Sequence, residues 1–402
     1  MIQISEKLLS NILGRSCSFM SEDIAKYQPQ LSKEIGDSKL LIIGAAGSIG
    51  QAFVLEVLKY KPAGIHLIDI SENNLVEVVR QLRSGGHYVP EDFKTFAIDY
   101  TALEMDALLN EESYDYVLNF SALKHVRSER DAFTLMRLLE VNVMGNARLI
   151  NSLTKSARIK KAFSVSSDKS VNPANLMGAS KALMERVFIA ESDKVPFGSA
   201  RFANVAFSDG SLLHSFMVRM ARFEPLSAPS DVRRYFITHE EAGQLCLLSC
   251  FLGGNNEIYY PKFRPEKDMM TFADIAREVI KYHGYTPLEC SSDEEALELA
   301  NKQTFEKKQW PCCFTPSDTS GEKMFEEFHH TDEQIDEDRY KTIGVVTSPS
   351  FQSSKRVDQA IADLNQLRQS GCWSKEQLVS IMKDAIPELK HSETNKNLDQ
   401  KM

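Results

Sequence analysis

A regular alternation of apolar and amphipathic segments is the feature that most restricts the fold of this chain. Apolar runs at 39–44, 64–69, 93–98, 115–121, 161–166 and 197–203 predict strands. The stretches between them, at 48–60, 72–84, 101–109, 131–156 and 175–192, have helical spacing. Strands that are apolar along their whole length and alternate with helices are typical of a parallel sheet covered on both faces. The pattern therefore predicts an α/β fold built on a doubly wound parallel sheet.

The regularity ends near residue 205, where glycine, serine and proline become frequent. Ligands of open α/β sheets bind at the carboxyl edge, so the chain beyond this point is expected to cover that edge. The apolar segment 239–253 is expected to pack back on the first domain. We therefore expect four regions: an N-terminal helical extension (1–37), a nucleotide-binding domain (38–204), a smaller substrate-binding region (205–345) and a C-terminal helical extension with a polar tail (346–402).

Composition and charge exclude several classes of function. The net charge of −9 argues against a general surface for nucleic acid or anionic membranes. The N-terminus lacks the apolar segment of a signal peptide, and no stretch reaches the ~18 apolar residues of a membrane-spanning helix. The seven cysteines form no metal-type CxxC pair, so we expect free thiols and no metal site. These features predict a cytoplasmic protein.

A glycine-rich loop directly after the first strand predicts a dinucleotide site. Gly44, Gly47 and Gly50 follow the strand at GxxGxxG spacing and open a helix, with Ser48 and Ile49 at its start. Glycines allow a pyrophosphate close to the backbone, and the helix N-terminus offers free N–H groups to it. Asp69 ends the next strand, where a carboxylate binds the ribose hydroxyls of NAD and repels the 2′-phosphate of NADP. The loop therefore predicts NAD.

Two further strand ends are candidates for cofactor contacts. Asp99 ends the third strand, where it either lies beside the adenine or caps the helix over 101–109. Ser121 and Ala122 follow the fourth strand, and their small side chains would let the backbone pass under the cofactor.

The fifth strand leads into a stretch that resembles a known family. Ser166, position 177 and Lys181 have the spacing of the Ser/Tyr/Lys triad of short-chain dehydrogenase/reductases, but position 177 is Met. The segments GAAGSIGQ, LIDISENN, SALKHVRSERD, VNVMGN, SSDKSVNPANLMGASK, RFANVAFSDGSL and RRYFIT together resemble the nucleotide-sugar 4,6-dehydratases of bacterial polysaccharide biosynthesis. The resemblance implies a Rossmann-type fold of the extended short-chain dehydrogenase/reductase kind. Met177 and the SDTSGEKMFEEF segment resemble the soluble, configuration-retaining dehydratases of legionaminic-acid-type pathways, which act on UDP-N-acetylglucosamine.

The resemblance implies catalytic roles for four residues. Asp168 would be the acid that protonates the departing carbon-6 hydroxyl, and Lys169 the base at carbon 5. Ser167 would bond the carbon-4 oxygen, and Lys181 would contact the nicotinamide ribose. These roles need a protonated Asp168 and a neutral Lys169; burial favours both neutral forms, whereas their mutual ion pair opposes them.

A set of substrate contacts is expected around the same edge. The resemblance and the residue types indicate Lys124, Met177, Asn204, Ser211, Arg234 and Glu322. Lys124 lies at the rim, Asn204 and Arg234 would bind the diphosphate, Ser211 begins a helix that would bind an anion, and Glu322 would lie near the nucleoside ribose. His125 and Asn142 are more simply structural.

Two alternatives to dehydration stay open, a nucleotide-sugar 4-epimerase and a non-catalytic NAD-binding scaffold. Epimerases of this fold normally keep the Tyr and lack the Asp–Lys pair, so Met177, Asp168 and Lys169 favour dehydration. The resemblance also implies a homodimer or larger homo-oligomer, formed through the helices at 131–156 and 175–192, with a UDP-sugar as the partner molecule.

Overall fold

The computed structural model describes residues 4–155, 159–302, 304–317, 326–349 and 354–391. Within these ranges the strands are β1 (Lys39–Ile43), β2 (Gly64–Asp69), β3 (Asp92–Ala97), β4 (Tyr116–Asn119), β5 (Lys161–Ser167), β6 (Phe197–Phe202), β7 (Asn204–Val205), β8 (Leu226–Pro229), β9 (Arg233–Ile237), β10 (Glu257–Pro261), β11 (Met269–Thr271), β12 (Thr286–Cys290), β13 (Gln309–Thr315), β14 (Gln334–Asp336) and β15 (Ile343–Ser348).

The helices of the same ranges are α1 (Glu6–Leu13), α2 (Ser21–Gly36), α3 (Ser48–Leu58), α4 (Glu72–Ser84), α5 (Leu103–Glu111), α6 (Ala132–Leu139), α7 (Gly145–Leu153), α8 (Leu176–Ala190), α9 (Leu212–Ala221), α10 (His239–Leu247), α11 (Pro265–Asp268), α12 (Phe272–Tyr282), α13 (Asp293–Asn301), α14 (Ser354–Gln369) and α15 (Lys375–Ala385). The single helix expected over 131–156 is divided, because a π-helical turn over Glu140–Met144 separates α6 from α7.

A nine-stranded sheet in the order β14-β15-β10-β6-β5-β4-β1-β2-β3 forms the centre of the molecule. Its run β3-β2-β1-β4-β5-β6 is parallel throughout, which confirms the doubly wound sheet. Leu40, Leu41 and Ile42 of β1 are fully buried because helices cover both faces. One face packs on α2, α3, α4 and α10, and the other on α5 to α8, α14 and α15.

The chain returns to this sheet after residue 204. Strand β10 pairs with β6 in parallel, and β15 and β14 extend the edge in antiparallel orientation. Helix α10 packs closely on α3, since a Cβ on Gly243 would lie 2.7 Å from the carbonyl oxygen of Ala52. The region 205–345 therefore contributes both to the main layer and to the smaller layer above it.

The smaller layer contains two three-stranded sheets, β11-β9-β7 and β12-β13-β8. Helices α9 and α12 pack against them in a separate apolar core. Leu8 and Ile12 of α1 are buried in that core, whereas Leu31 and Ile35 of α2 belong to the core under the main sheet. The N-terminal extension thus contacts both layers.

The C-terminal helices α14 and α15 form a hairpin against α6 and α8, with Trp373 donating to the carbonyl of Ala132 at 3.0 Å. These helices pack on α6 and α8, two of the helices through which the sequence predicted a homo-oligomer, and the oligomeric state stays a prediction. Among the described helices, none has the length and apolar character that crossing a membrane requires.

Candidate active site

A cavity of ≈ 890 Å³ opens where β1, β4, β5 and β6 end, below the smaller layer. It brings together twelve of the residues expected from the sequence: Gly47, Ser48, Ile49, Ala122, Lys124, Ser167, Asp168, Lys169, Met177, Lys181, Asn204 and Ser211. Gly44, Asp69, Asp99, Ser121 and Arg234 do not line it. Glu322 lies outside the described residues.

The glycine loop has the close packing of a dinucleotide cradle. Gly44 has φ +73°, and a Cβ there would lie 2.6 Å from the backbone nitrogen of Ser121. A Cβ on Gly50 would lie 2.1 Å from the carbonyl oxygen of Gly44, so helix and loop touch through backbone alone. Gly47 precedes α3 without a side-chain cap, which leaves the first N–H groups of the helix available to an anion.

Asp69 holds the glycine loop at the end of β2. Its Oδ2 accepts from the backbone nitrogen of Ala46 at 3.0 Å, and its Oδ1 accepts from that of Ser71 at 2.9 Å. These bonds fix the carboxylate beside the loop. Each oxygen keeps a second lone pair for a ribose hydroxyl.

Asp99 has a local structural role instead of a place in the cavity. It accepts from the backbone and hydroxyl of Thr101 at 2.9 Å and 2.8 Å, and it pairs with Arg137 at 2.6 Å. Burial acts to raise the pKa of Asp99, but these hydrogen bonds outweigh it and hold the pKa below its ordinary value. The sequence left two roles open for Asp99, a contact with the adenine and a cap of the following helix. The structure favours a local role near that helix, but Asp99 binds the turn before α5 and does not cap the helix itself.

The end of β5 carries an ion pair in the cavity wall. The ammonium of Lys169 lies 3.2 Å and 3.3 Å from the two carboxylate oxygens of Asp168, which is 4% exposed. Ser167 donates its hydroxyl to Asp168 Oδ1 at 2.7 Å. Burial acts to lower the pKa of Lys169, but the charges of Asp168 and Glu326 outweigh it and the pKa is raised. Of the two opposing effects expected from the sequence, the ion pair is the stronger.

Lys181 reaches the cavity from α8 and, among the residues that the structure describes, has no carboxylate within bonding distance. Its ammonium donates to the carbonyl oxygen of Val165 at 2.9 Å, and burial lowers its pKa to about 8. Asn175 caps the helix by accepting from the nitrogen of Gly178. One turn before Lys181, the buried Met177 donates its backbone N–H to Glu129 Oε1 at 2.8 Å. The cap and the Glu129 contact fix the start of the helix beside the cavity.

Ser166, the serine of the expected triad, donates to the buried carboxylate of Glu185. Glu185 also pairs with Arg201 at 2.8 Å, and Arg201 pairs with Glu333 at 2.7 Å on its other side. Burial raises the pKa of Glu185, but Arg201 outweighs it and the pKa lies below its ordinary value. This buried charge network, which the sequence did not predict, supports the end of β5 through the bond between Ser166 and Glu185.

The other side of the cavity collects polar groups suited to a diphosphate. Lys124 donates to the hydroxyl of Ser208 at 3.3 Å, and burial lowers the pKa of this lysine. Ser211 caps α9 by accepting from the nitrogen of His214, and its hydroxyl keeps its own proton to donate. Ser48 accepts from the nitrogen of Asp209 at 2.9 Å, which joins the cofactor loop to this side.

Asn142 has the contacts expected of a structural residue, whereas His125 also lines the cavity. The ring of His125 packs over Gly210, where a Cβ would lie 2.9 Å from its Nε2, and burial lowers the pKa of His125. Asn142 exchanges hydrogen bonds with the backbone of Leu123 and donates to Ser180. Arg234 is buried and donates to the carbonyl of Arg233; it does not line the cavity, but its charge acts to lower the pKa of Lys169 and that of Glu326.

Glu326 is a further candidate that the sequence analysis missed. Its Oε1 accepts from the side chain of Asn204 at 2.5 Å, and its Oε2 accepts from the nitrogen of Tyr235 at 2.7 Å. Burial and the charge of Asp168 raise the pKa of Glu326 to about 8. The segment GEKMFEEF contains three glutamates, and the sequence predicted a substrate contact only for the first of them, Glu322.

The chain has a Rossmann-type fold with the architecture of the extended short-chain dehydrogenase/reductases. A model of the polysaccharide biosynthesis protein family matches residues 40–348. The chain therefore belongs to the polysaccharide biosynthesis protein family.

Curated relatives of this chain differ in their described activities. The "uncharacterized membrane protein MJ1061" of Methanocaldococcus jannaschii is 31% identical over 62% of this chain and 74% of that protein. An inverting UDP-N-acetylglucosamine 4,6-dehydratase of Campylobacter jejuni is 26% identical over 56% of this chain and 66% of that enzyme. A UDP-glucose 4-epimerase of Rickettsia bellii is 27% identical over the same shares. The chain spans 42% of the Staphylococcus aureus capsular protein CapD, at 28% identity over 63% of this chain.

Two solved structures have the same fold. Pen from Bacillus thuringiensis matches with a TM-score of 0.63 and 21% identity, over 82% of this chain and 98% of Pen. The dTDP-glucose 4,6-dehydratase DesIV of Streptomyces venezuelae, a double mutant with NAD bound, matches with a TM-score of 0.53 and 16% identity, over 84% and 99%.

Proposed function

We propose that this protein is an NAD-dependent nucleotide-sugar 4,6-dehydratase that converts UDP-N-acetylglucosamine to its 4-keto-6-deoxy derivative. The observation that carries the proposal is one cavity that contains the glycine loop, Lys181 and the Asp168–Lys169 pair. The sequence resemblance and the Campylobacter relative support this substrate class. Membership of the polysaccharide biosynthesis family supports a role in making bacterial surface glycans, here of the nonulosonic-acid type.

The glycine cradle supports NAD as the cofactor. Gly44 and Gly50 leave no space for side chains between loop, helix and strand, and α3 presents its N-terminus to the cavity. Asp69 suits a ribose 2′-hydroxyl and would repel a 2′-phosphate. NAD, when bound, would take a hydride from carbon 4 of the sugar and return it to carbon 6.

The Asp168–Lys169 pair can supply the acid and the base. Lys169 is the base at carbon 5 only after it loses a proton, and the nearest acceptor is a carboxylate oxygen of Asp168 at 3.2 Å. Transfer of that proton makes both groups neutral and leaves Asp168 as the acid for the carbon-6 hydroxyl. A substrate that displaces water from the cavity would favour this transfer, because a drier site penalises the charged forms.

Met177 supports a retaining dehydratase in this proposal. A thioether cannot take the proton of the carbon-4 hydroxyl. A bound water molecule would relay that proton to solvent or to Asp168, with Ser167 orienting the oxygen and the cationic Lys181 lowering the cost of the negative charge. The resemblance of the Met-containing branch supports retention of configuration at carbon 5 and the soluble legionaminic-acid-type assignment.

Mass spectrometry of products from a panel of UDP-, GDP- and dTDP-sugars tests the proposal. A product lighter than UDP-N-acetylglucosamine by one water supports it. A product of unchanged mass but altered configuration would instead identify a 4-epimerase, the activity of the Rickettsia relative. No conversion of any sugar by protein loaded with NAD would favour a non-catalytic scaffold.

A further inference from the structure

The C-terminal hairpin, defined as α14, α15 and the segment that follows them to residue 391, buries an apolar stripe against the main layer. Leu364, Met382 and Ile386 are fully buried, and they share one core with α6, α7 and α8. The other buried members of the stripe are Val357, Ala360, Leu378, Ala385 and Leu389. The hairpin is therefore an integral part of the core.

Helix α8 is covered on all sides because of this hairpin. Its positions Leu176–Phe188 are all buried, although they include Lys181, Glu185 and Arg186. Arg186 donates to the carbonyl of Ala385 at 3.0 Å and forms an ion pair with Glu388. A helix without an exposed face is typical of the interior of a fold and leaves no surface for a partner.

Helix α6 is held by the hairpin through polar contacts as well. The ring of Trp373 meets that of Phe133 edge-on at 6.2 Å, and its Nε1 bonds to the Ala132 carbonyl. Arg368 forms an ion pair with Glu140, which is itself 6% exposed. These contacts fix the position of the hairpin on α6 and on the turn that follows it.

The end of the hairpin contacts the loop between the Asp168–Lys169 pair and α8. The backbone nitrogen of Lys390 donates to the carbonyl of Pro173 at 2.9 Å. The imidazole of His391 lies 3.8 Å from Glu129, the residue that accepts the backbone N–H of Met177. The C-terminal segment therefore contacts the loop over residues 170–175, called here the catalytic loop. Through Glu129 it also supports the backbone of Met177.

We propose that the C-terminal hairpin takes, within one chain, the place of a second copy on the face formed by α6 and α8, and that its end holds the catalytic loop in position. A second copy could reach this face only if the hairpin left it. Departure would expose the apolar stripe of the hairpin together with the apolar faces of α6 and α8, and would remove the bonds of Arg186 and Lys390. The inference concerns packing and does not depend on the proposed reaction.

Hydrogen exchange of the intact protein at a series of dilutions tests the first part. Protection of amides in α8 and in the hairpin should stay unchanged over a ~100-fold dilution, because an intramolecular contact does not depend on concentration. Light scattering at the same concentrations reports the mass. Loss of α8 protection on dilution, in parallel with loss of a dimer, would show that a second copy covers the face and would overturn the proposal.

Charged substitutions on the hairpin also test whether the hairpin, and not a second copy, covers α8. Leu364→Asp and Met382→Asp introduce a charge at fully buried positions, whereas Ala362→Asp and Lys383→Asp do so at exposed positions of the same helices. The first pair should speed exchange in residues 354–389 and in α8 and promote concentration-dependent association. The second pair should change neither. If the first pair leaves α8 protected, the hairpin does not cover it; if it fails to fold, the dilution series decides alone.

A proline at position 390 tests the clamp on the loop. Lys390→Pro removes the N–H that bonds Pro173, while Lys390→Ala retains it. Exchange in residues 171–177 should be about 2- to 12-fold faster in the proline variant only, the factor that one net hydrogen bond represents. Equal exchange in the two variants would show that the segment does not hold the loop. This readout needs no turnover, so it is independent of the function assigned to the site.

Discussion

Lys169 lies against Asp168 with its ammonium 3.2 Å and 3.3 Å from the two carboxylate oxygens, at the carboxyl end of the central strand β5. The contact is short enough for a proton to pass between the residues, and it is held by Ser167, which donates to the same carboxylate. In the proposed reaction this pair becomes an acid and a base when one proton moves from Lys169 to Asp168.

Removing either member of the pair should abolish most turnover. Asp168→Asn and Lys169→Ala are each expected to lose about 10²- to 10⁴-fold in kcat, the usual contribution of one general acid or base. UDP binding, measured by calorimetry, should persist because neither side chain is assigned to the nucleotide. Near-normal rates in either variant would rule out the acid–base assignment. With wild type in deuterated water, solvent deuterium should appear at carbon 5.

The stability of the protein should respond to pH through Glu326. Its pKa of about 8 in the folded state lies above the ordinary value of 4.5, so the folded state binds more protons than the unfolded state between these values. Glu326 therefore lowers the free energy of unfolding as the pH rises from about 5 to 8. Glu326→Gln, which keeps a carbonyl acceptor, should raise Tm relative to wild type more at pH 8 than at pH 5. A Tm difference that does not change with pH would contradict the raised pKa.

Local sequence patterns predicted the parts of the site that come from one strand end each. The glycine loop, Asp168, Lys169 and Lys181 follow from short motifs next to apolar runs, and the structure brings them to the edge where parallel strands end. Glu326 could not be placed in this way, because its contacts with Asn204 and Tyr235 join segments far apart in the chain. The burial of α8 under the C-terminal helices could not be predicted either, because Arg186 of α8 contacts Ala385, almost 200 residues away.

Met177 is expected to be a packing residue beside the substrate. It is 3% exposed, and its polar contacts with Glu129 and Ser180 are made by its backbone, so Leu can fill the same volume with a modest change in rate. Ser167→Ala should slow turnover more, because it removes the hydroxyl that orients Asp168. Turnover of the two variants, measured side by side, decides between these roles. A dead Met177→Leu enzyme beside an unaffected Ser167→Ala enzyme would assign the thioether a chemical function, and an inverted carbon 5 in the product would contradict retention.

The cofactor released from purified protein should be NAD. Asp69 is fixed by Ala46 and Ser71 at the end of β2, where its charge opposes a 2′-phosphate. Mass analysis after denaturation identifies the dinucleotide. Predominant NADP would contradict the role of Asp69, and Asp69→Asn should reduce the preference for NAD in binding titrations by lowering the negative charge.

The buried charge network behind β5 should be important for stability. Arg201, 2% exposed, lies between Glu185 and Glu333, and it also donates to the carbonyl of Phe328 in the segment that carries Glu326. Glu333→Ala leaves a buried guanidinium with one partner fewer, which costs about 3–5 kcal/mol in comparable buried pairs. Glu91→Ala, at an exposed position away from this network, is the matched control and should change the free energy of unfolding by at most about 0.5 kcal/mol. Denaturant titration of both variants measures the difference. Because Arg201 also anchors the segment with Glu326, the Glu333 variant should lose turnover under conditions where it is still folded, and equal stability of the two variants would show that the network is not a structural support.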